Sequence, residues 1–256
     1  MCLIVLGIKS HPVYKLVFAA NRDEYYDRPS APLDFWKEAP NLLAGKDLRA
    51  GGTWFGITRS GRIAAITNFR DPASHKDEAP SRGELITRFL LGDDEPTDYL
   101  EALRTDKDRY NGYNLILGTK DNLYWYSNRG NRVKRLLPGL HGLSNHLLDT
   151  PWPKVVRTKE AMGRLLARED QPHPDEIFHF LSDCHVVDEE SLPNTGVGLE
   201  LEQKLSSVFI TIPDYGTRSS TILLIDRDDH VTCLERTFHP NHGAAETVKH
   251  SFTIES

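Results

Sequence analysis

Short apolar segments joined by tight turns occur in three separate blocks of this 256-residue chain, and segments with helical patterning lie in pairs between the blocks. Tight turns join antiparallel strands, whereas neighbouring parallel strands need a long crossover, usually through one helix. The order therefore argues against a doubly wound fold, in which strands and helices alternate singly. It predicts an α+β fold in which two antiparallel sheets stack face to face with the helix pairs outside.

The boundaries of the predicted elements come from apolar periodicity and from turn and cap residues. The predicted strands are Cys2–Ile8, Tyr14–Ala20, Thr53–Thr58, Arg62–Asn68, Tyr113–Gly118, Leu123–Ser127, Val133–Leu136, Val208–Ile212, Ser219–Ile225 and Val231–Arg236. The predicted helices begin at Ser81, at Thr97 or Asp98, at Pro153 and at Asp175. Ser81 and Glu84 have the spacing of a capping box, and Pro153 stands in a first turn, where its missing N–H costs nothing.

Length, charge and cysteine content limit the class of protein. We expect a single domain over residues 1–256, with a loosely held tail over residues 239–256, where the patterning is weak. The net charge is −6 and the basic residues are scattered, which argues against nucleic acid as a partner. No apolar run reaches the roughly 18–20 residues that a membrane span needs. The three cysteines, Cys2, Cys184 and Cys233, are odd in number and far apart, which favours the reducing cytoplasm.

The unusual local feature is the polar run Asn21-Arg22-Asp23-Glu24, which directly follows the apolar segment Leu16–Ala20. One interpretation is a strand end that reaches solvent, with Arg22 and Glu24 hydrated. The other is a functional site, because polar groups at the end of a buried strand need partners and a buried unpaired charge is costly.

Seven segments with distinctive residue runs follow one another along the chain: MCLIVLGI, FAANRDEYYDRPSAPLDFW, GGTWFGI, AITNF, YNLILG, GLSNHLLDTPWPKV and YGTRSSTILLID. Together they resemble the NRDE protein family, the homologues of transport and Golgi organisation protein two, from about Met1 to Asp226. That family is distantly similar to N-terminal-nucleophile hydrolases, especially the choloylglycine hydrolase and penicillin V acylase group. The resemblance implies a four-layer αββα sandwich, with which the order of strands and helices agrees independently.

The resemblance also implies a catalytic set. After removal of Met1, Cys2 would be the nucleophile and its own α-amino group the base, since an α-amine with a pKa near ~8 can accept a thiol proton at neutral pH. Asp23 matches the aspartate that fixes this amine, and Asn68 and Asn145 match candidate oxyanion donors. The alternative for Cys2 is a small apolar core residue on a buried strand.

The chain departs from the acylase pattern at Ala20, where those enzymes have arginine three positions before the aspartate. Arg22 and Arg218 are the remaining candidate cations, although Arg22 should point to the face opposite Asp23 and Arg218 suits a surface loop equally well. We include Arg22 in the catalytic set and predict substrate contacts from four residues. These are Asn21, Glu24, Trp54 and Arg218.

Two functions of different classes remain open from the sequence. The first is a cysteine amidohydrolase that acts on a small or acylated amide, in which Cys2 attacks the carbonyl. The alternative is a non-catalytic binding or carrier protein on the same scaffold, for a hydrophobic ligand such as an acyl-chain lipid, acyl-CoA or haem. We predict no cofactor and no metal, because His141 and His146 have no set of carboxylates around them.

Overall fold

The computed structural model describes residues 3–239 and 246–255. Its strands are β1 (Leu3–Ile8), β2 (Tyr14–Tyr25), β3 (Ser30–Trp36), β4 (Ala39–Asp47), β5 (Phe55–Thr58), β6 (Arg62–Asn68), β7 (Tyr113–Thr119), β8 (Leu123–Ser127), β9 (Arg132–Arg135), β10 (Gly139–Leu143), β11 (Tyr215–Asp226), β12 (His230–Thr237) and β13 (Glu246–Thr253). Its α-helices are α1 (Gly83–Leu91), α2 (Pro96–Thr105), α3 (Pro153–Leu166), α4 (Pro174–Leu181) and α5 (Leu199–Lys204).

The strands form two sheets in which neighbouring strands are antiparallel. The first sheet has six strands in the order β10-β1-β2-β11-β12-β13, and the second has seven in the order β3-β4-β5-β6-β7-β8-β9. Helices α3 and α4 pack on the outer face of the first sheet, and α1 and α2 on that of the second. The predicted α+β class and αββα layering are therefore confirmed. No described helix is long and apolar enough to cross a membrane.

The core follows the alternation of strand side chains. In β2, Leu16 and Phe18 face the second sheet, where Phe18 stacks on Phe55 with ring centroids 4.9 Å apart. Val17 and Ala19 face the other way and join a cluster with residues of α3 and α4. Because each full burial of a large apolar side chain is worth about 1.5–3 kcal/mol, β2 is stabilised on both faces.

Strand β2 continues through the polar run that the sequence analysis put after it. Asn21, Arg22 and Asp23 are all buried, so the interpretation of a solvated strand end is wrong for Arg22, which is 4% exposed. Arg22 lies opposite Ser219 and Asp23 opposite Thr217, with a β-bulge at the intervening Arg218. Pairing with β11 holds the polar run inside the sheet.

Four strands are absent from the sequence prediction, and in three of them, β3, β4 and β10, the composition explains why. Strand β3 contains Pro32, which is tolerated because β3 is an edge strand, and β4 contains Pro40 near its start. Strand β10 contains Gly142, where a Cβ would lie 2.6 Å from a methyl carbon of Val155. Glycine there lets α3 approach the sheet closely, but it weakens the strand signal.

Two other predictions are corrected. The predicted strand at residues 208–212 forms only an isolated bridge between Thr211 and Gly216. The predicted loose tail contains β13, which pairs with β12 and turns Val248 and Phe252 toward the core, while Ile254 is 6% exposed. The sequence signal is weak because the polar His250 takes the inward position between Val248 and Phe252 and the remaining side chains of the strand are exposed. The part of the tail at residues 240–245 and 256 lies outside the described residues.

Helix starts were predicted with mixed success. Pro153 begins α3 as expected. The capping box at Ser81 is wrong, because α1 begins at Gly83 with Arg82 as its N-cap and no side-chain cap bond. The Glu84 carboxylate instead accepts a hydrogen bond from the hydroxyl of Tyr110, which ties the first turn of α1 to the chain before β7.

Candidate functional site

The polar half of β2 has two faces with different partners. On one face, the Asn21 amide donates to the backbone oxygens of Leu181 and Val208, at 2.9 Å each. On the opposite face, the Arg22 guanidinium lies over the ring of Trp54, 4.2 Å from its centroid. Asp23 shares the face of Asn21 by alternation, so Arg22 and Asp23 diverge as the sequence analysis expected.

Asp23 belongs to a buried hydrogen-bonded group that the sequence analysis did not identify. Its Oδ1 accepts from the Thr217 hydroxyl at 2.7 Å, and that hydroxyl oxygen in turn accepts from the N–H of Ile210 at 2.9 Å. The Thr217 N–H donates back to the Ile210 oxygen, also at 2.9 Å. Asp23 is thus anchored to β11 and to the segment before it. The one sequence feature that could have indicated Thr217 is the polar run Gly216–Thr221, in which only Arg218 was predicted as a site residue.

Asn68, at the end of β6, meets Asn145, in the loop after β10. The Asn145 side-chain amide donates to the backbone oxygen of Asn68 at 3.1 Å, and the Asn145 backbone oxygen accepts from the Arg70 N–H at 2.8 Å. A third bond runs from the Thr67 hydroxyl to the Ser144 oxygen at 2.9 Å. These three hydrogen bonds therefore connect the end of β6 to the loop after β10.

Both asparagines line a cleft with a volume of about 530 Å³. Its apolar wall comes mainly from the ends of β6 and β11 and from α5 and its neighbours, namely Phe69, Val197, Leu201, Leu205, Ile210, Ile212 and Pro213. Tyr25 and Tyr215 also line it, and their rings meet edge to face with centroids 5.3 Å apart. In the described part of the chain the side-chain amide of Asn68 makes no hydrogen bond, so it is open to a ligand in this cleft.

A buried ion pair supports the asparagine end of the cleft. Arg70 Nη1 lies 2.7 Å from one carboxylate oxygen of Glu202, and the other oxygen accepts a hydrogen bond from the Thr195 N–H. The Glu202 residue is 3% exposed. A second guanidinium nitrogen of Arg70 lies 3.5 Å from Asn145 Oδ1. The pair thus holds α5 beside the cleft, and the Asn145 side chain is fixed at its oxygen by Arg70 and at its nitrogen by the Asn68 backbone oxygen.

The loop that carries Asn145 is braced at Asp149. Its carboxylate accepts the Gly142 N–H at 2.9 Å, lies 3.1 Å from His141 Nδ1 and pairs with Lys159 at 2.7 Å. Burial by itself would raise the pKa of Asp149, but these hydrogen bonds and the Lys159 charge hold that pKa well below its usual range. Asp149 therefore stays ionised and ties the loop to β10 and α3.

The remaining predicted residues lie elsewhere. Asn21 is fully buried and also accepts from the Ser220 hydroxyl at 2.6 Å, so it braces β2 against β11 and α4. Glu24 lies 3.8 Å from Arg28 and does not line the described wall of the cleft. Trp54 and Arg218 line a separate small cavity on the Arg22 face of β2. Substrate contact by these residues remains a prediction.

Cys2 lies outside the described residues. Its neighbour in sequence, Leu3, opens β1 and pairs with Asn21 of β2. The structure therefore brings together Asn68 and Asn145, connects Asp23 through the Thr217 hydroxyl to Ile210 of the cleft wall, and turns Arg22 toward the second sheet.

Comparisons with known proteins agree with this architecture. The family model of Transport and Golgi organisation 2 matches residues 1–240. The chain is 38% identical to the human Transport and Golgi organization protein 2 homolog and 36% identical to that of Bos taurus, each over 100% of both chains. Among solved structures, the C2A mutant of conjugated bile acid hydrolase from Clostridium perfringens aligns with a TM-score of 0.55 at 10% identity, covering 99% of this chain and 92% of that one. That likeness shows a shared N-terminal-nucleophile hydrolase fold.

Proposed function

The chain belongs to the Transport and Golgi organisation 2 family, and on that premise we propose that it is a cysteine amidohydrolase that cleaves a small or acylated amide. The observation that carries this proposal is the meeting of Asn68 and Asn145 at one end of the cleft. An amide donor beside a pocket can stabilise the oxyanion that forms when a nucleophile attacks a carbonyl, and one such donor is worth about 10²–10³-fold in rate.

Cys2 is the proposed nucleophile once Met1 has been removed. Its thiol would pass a proton to its own α-amine and attack the amide carbon, which gives a tetrahedral intermediate. The ammonium then protonates the leaving amine as the C–N bond breaks, and water hydrolyses the thioester to release the acid and restore the thiol.

Asp23 has the proposed role of holding the α-amine. It is 3% exposed, and the Thr217 hydroxyl fixes one of its oxygens at 2.7 Å. A carboxylate held rigidly near the first residues of β1 would orient the amine and favour its protonated form after the thiol ionises.

The cleft supports an acylated substrate in particular. Its lining combines polar groups, among them Asn68, Asn145 and Arg70, with apolar side chains of α5 and of the segment before β11. An amide bond beside the polar groups with an apolar acyl group along the apolar side chains would match that combination. A volume of about 530 Å³ is within the range of small-molecule sites.

The same apolar wall favours the alternative of a carrier for a hydrophobic ligand. Leu201 lines the cleft and is 37% exposed, so the wall presents apolar surface that a bound ligand would cover. In that case the ligand would bind with Cys2 unreactive, and no product would appear.

Intact mass spectrometry of the purified protein, followed by incubation with N-acyl amino acids of graded chain length, tests the two functions. The amidohydrolase predicts that protein beginning at Cys2 releases free acid and amine, and that a Cys2→Ala variant does not. A Cys184→Ala variant, which changes an exposed cysteine, is the matched control and should retain turnover. Binding of the acyl compounds without any product in protein shown to lack Met1 would contradict hydrolysis and support the carrier.

A further inference from the structure

The face of β2 and β11 that looks toward the second sheet carries a buried group of charged and aromatic side chains. Arg22, Trp54, Arg218 and Glu235 are 4%, 6%, 9% and 1% exposed. We call them the arginine cluster. Arg22 stacks on Trp54, and both Trp54 and Arg218 line a cavity of about 120 Å³ together with Glu235.

Three N–H donors of this cluster are buried and have no acceptor among the described residues: Arg22 Nη1, Arg218 Nε and Trp54 Nε1. Leaving one buried donor unsatisfied costs about 1–3 kcal/mol, and more when the donor is charged. Arg218 has partners at another nitrogen, Nη1, which donates to the backbone oxygens of Tyr25, Tyr26 and Arg28 at 2.9–3.1 Å. All the unmet groups are donors, so their missing partner is an acceptor.

The charges around the cluster point the same way. Glu235 and Glu246 are the acids that line the cavity, and the oxygens of Glu235 accept from the Leu33 N–H at 2.8 Å and from the hydroxyls of Ser219 and Thr221. Among the described residues Glu235 makes no salt bridge with either arginine. The two other acids that act on Arg22 are Glu24 and Asp47, and both lie beside Arg28. The buried Glu235 carboxylate is thus already engaged by other donors, and Arg22 Nη1 and Arg218 Nε keep no acceptor among the described residues.

We propose that the cavity beside Trp54 and Arg218 binds a small carboxylate, held by Trp54 Nε1 and Arg218 Nε, with the Arg22 guanidinium stacked on the Trp54 ring behind them. A carboxylate has two acceptor oxygens with about four lone-pair directions, which suits several convergent donors. The volume of about 120 Å³ accommodates one or two carbon atoms beyond the carboxylate and excludes a large ligand. This site is distinct from the cleft at Asn68 and Asn145, and it involves no step at Cys2.

Calorimetric titration of the full-length Cys2→Ala protein with sodium acetate tests the site without any turnover. We expect saturable binding of acetate and none of acetamide, which has the same shape without the charge. Arg218→Gln should weaken acetate binding at least about tenfold, because a charge-assisted bond is lost. Trp54→Phe keeps the stacking ring and removes only the Nε1 donor, so a smaller loss of about three- to tenfold is expected.

Arg62→Gln is the matched control, because Arg62 also stacks on an aromatic ring, 4.1 Å from the Phe89 centroid, but its guanidinium donates to the Phe89 and Asp94 oxygens. Acetate binding should be unchanged in that variant. Equal binding of acetate and acetamide, displacement of acetate by equimolar chloride, or full acetate affinity in folded Trp54→Phe and Arg218→Gln proteins would overturn the proposal. Failure of acetate to bind leaves the hydrolysis assay untouched, so the two proposals fail separately.

Discussion

The side-chain amide of Asn145 donates a 3.1 Å hydrogen bond to the backbone oxygen of Asn68, and this bond joins the loop after an edge strand of the first sheet to the end of a strand in the second. It spans 77 residues of sequence. Because it closes one end of the cleft between the sheets, substitutions here affect both the loop and any chemistry in the cleft.

Asn68→Ala should lower the rate of amide cleavage about 10²–10³-fold with little loss of stability, since its side chain makes no described hydrogen bond. Asn145→Ala should cost the same rate factor and also about 1 kcal/mol of unfolding free energy, because its bond to Asn68 is lost. Steady-state kinetics and urea denaturation measure the two effects. Asn122→Ala, at the far turn between β7 and β8, is the control, and a cleavage rate equal to the control in both variants would refute the oxyanion role.

Thr217→Val should slow alkylation of Cys2 in processed protein and destabilise the fold by about 1–3 kcal/mol, because Asp23 and the Ile210 N–H both lose a buried partner. Asp23→Asn should slow the alkylation as well. Thr221→Val is the matched control on the same strand, since its hydroxyl contacts Glu235 at 3.3 Å on the opposite face. If Thr221→Val slows Cys2 labelling as much as Thr217→Val does, the effect comes from the strand and not from Asp23.

The cysteines should differ in reactivity toward iodoacetamide. Burial raises the pKa of the Cys233 thiol well above its ordinary value, so native protein should leave Cys233 unlabelled. Cys184 is exposed and should react as an ordinary thiol. Cys2 should react fastest in protein lacking Met1 and more slowly in protein retaining it, as peptide mass spectrometry over time would measure. Labelling of Cys2 no faster than Cys184 in processed protein would favour the carrier function.

Asp149→Asn should destabilise the protein by about 1–3 kcal/mol at neutral pH and weaken the hold on Asn145. Asparagine also tolerates the positive φ of 59° at this position, so the change removes charge and little else. Because the folded-state pKa of Asp149 lies below its unfolded value, its stabilising effect is fully present above about pH 4 and is lost as the pH falls further.

Thermal unfolding from pH 2 to pH 7 measures this window. The stability difference between wild type and Asp149→Asn should shrink on acidification below about pH 4. Asp121→Asn serves as the control. The Asp121 carboxylate is 61% exposed and lies no closer than 3.8 Å to Lys15, so removing its charge should change the stability little at any pH. A difference that stays constant down to pH 2 would contradict the assigned ion pair.

Local patterns determined the larger part of the architecture. Alternation in Leu16–Ala20, turn residues between strands and proline at the start of α3 are properties of neighbouring residues, so they can be read without knowing the fold. The resemblance to a known family picked out Asp23, Asn68 and Asn145 by their surroundings in sequence. The edge strands β3, β10 and β13 were missed because one neighbour in a sheet, with solvent or a close helix on the other side, leaves no strong apolar pattern.

Only the tertiary structure decided which residues meet. The partners Thr217 for Asp23 and Glu202 for Arg70 lie 194 and 132 residues away in sequence, and nothing local in the chain indicates such pairs. The two faces of β2 show the same division. The two-residue period of a strand requires the side chains of Arg22 and Asp23 to point in opposite directions. Their partners come from the tertiary structure, because the second sheet stacks Trp54 against Arg22 and the pairing with β11 places Thr217 beside Asp23. The chain itself specifies strands and side-chain direction, because these depend on adjacent residues, whereas partners depend on how distant strands are brought together in the sandwich.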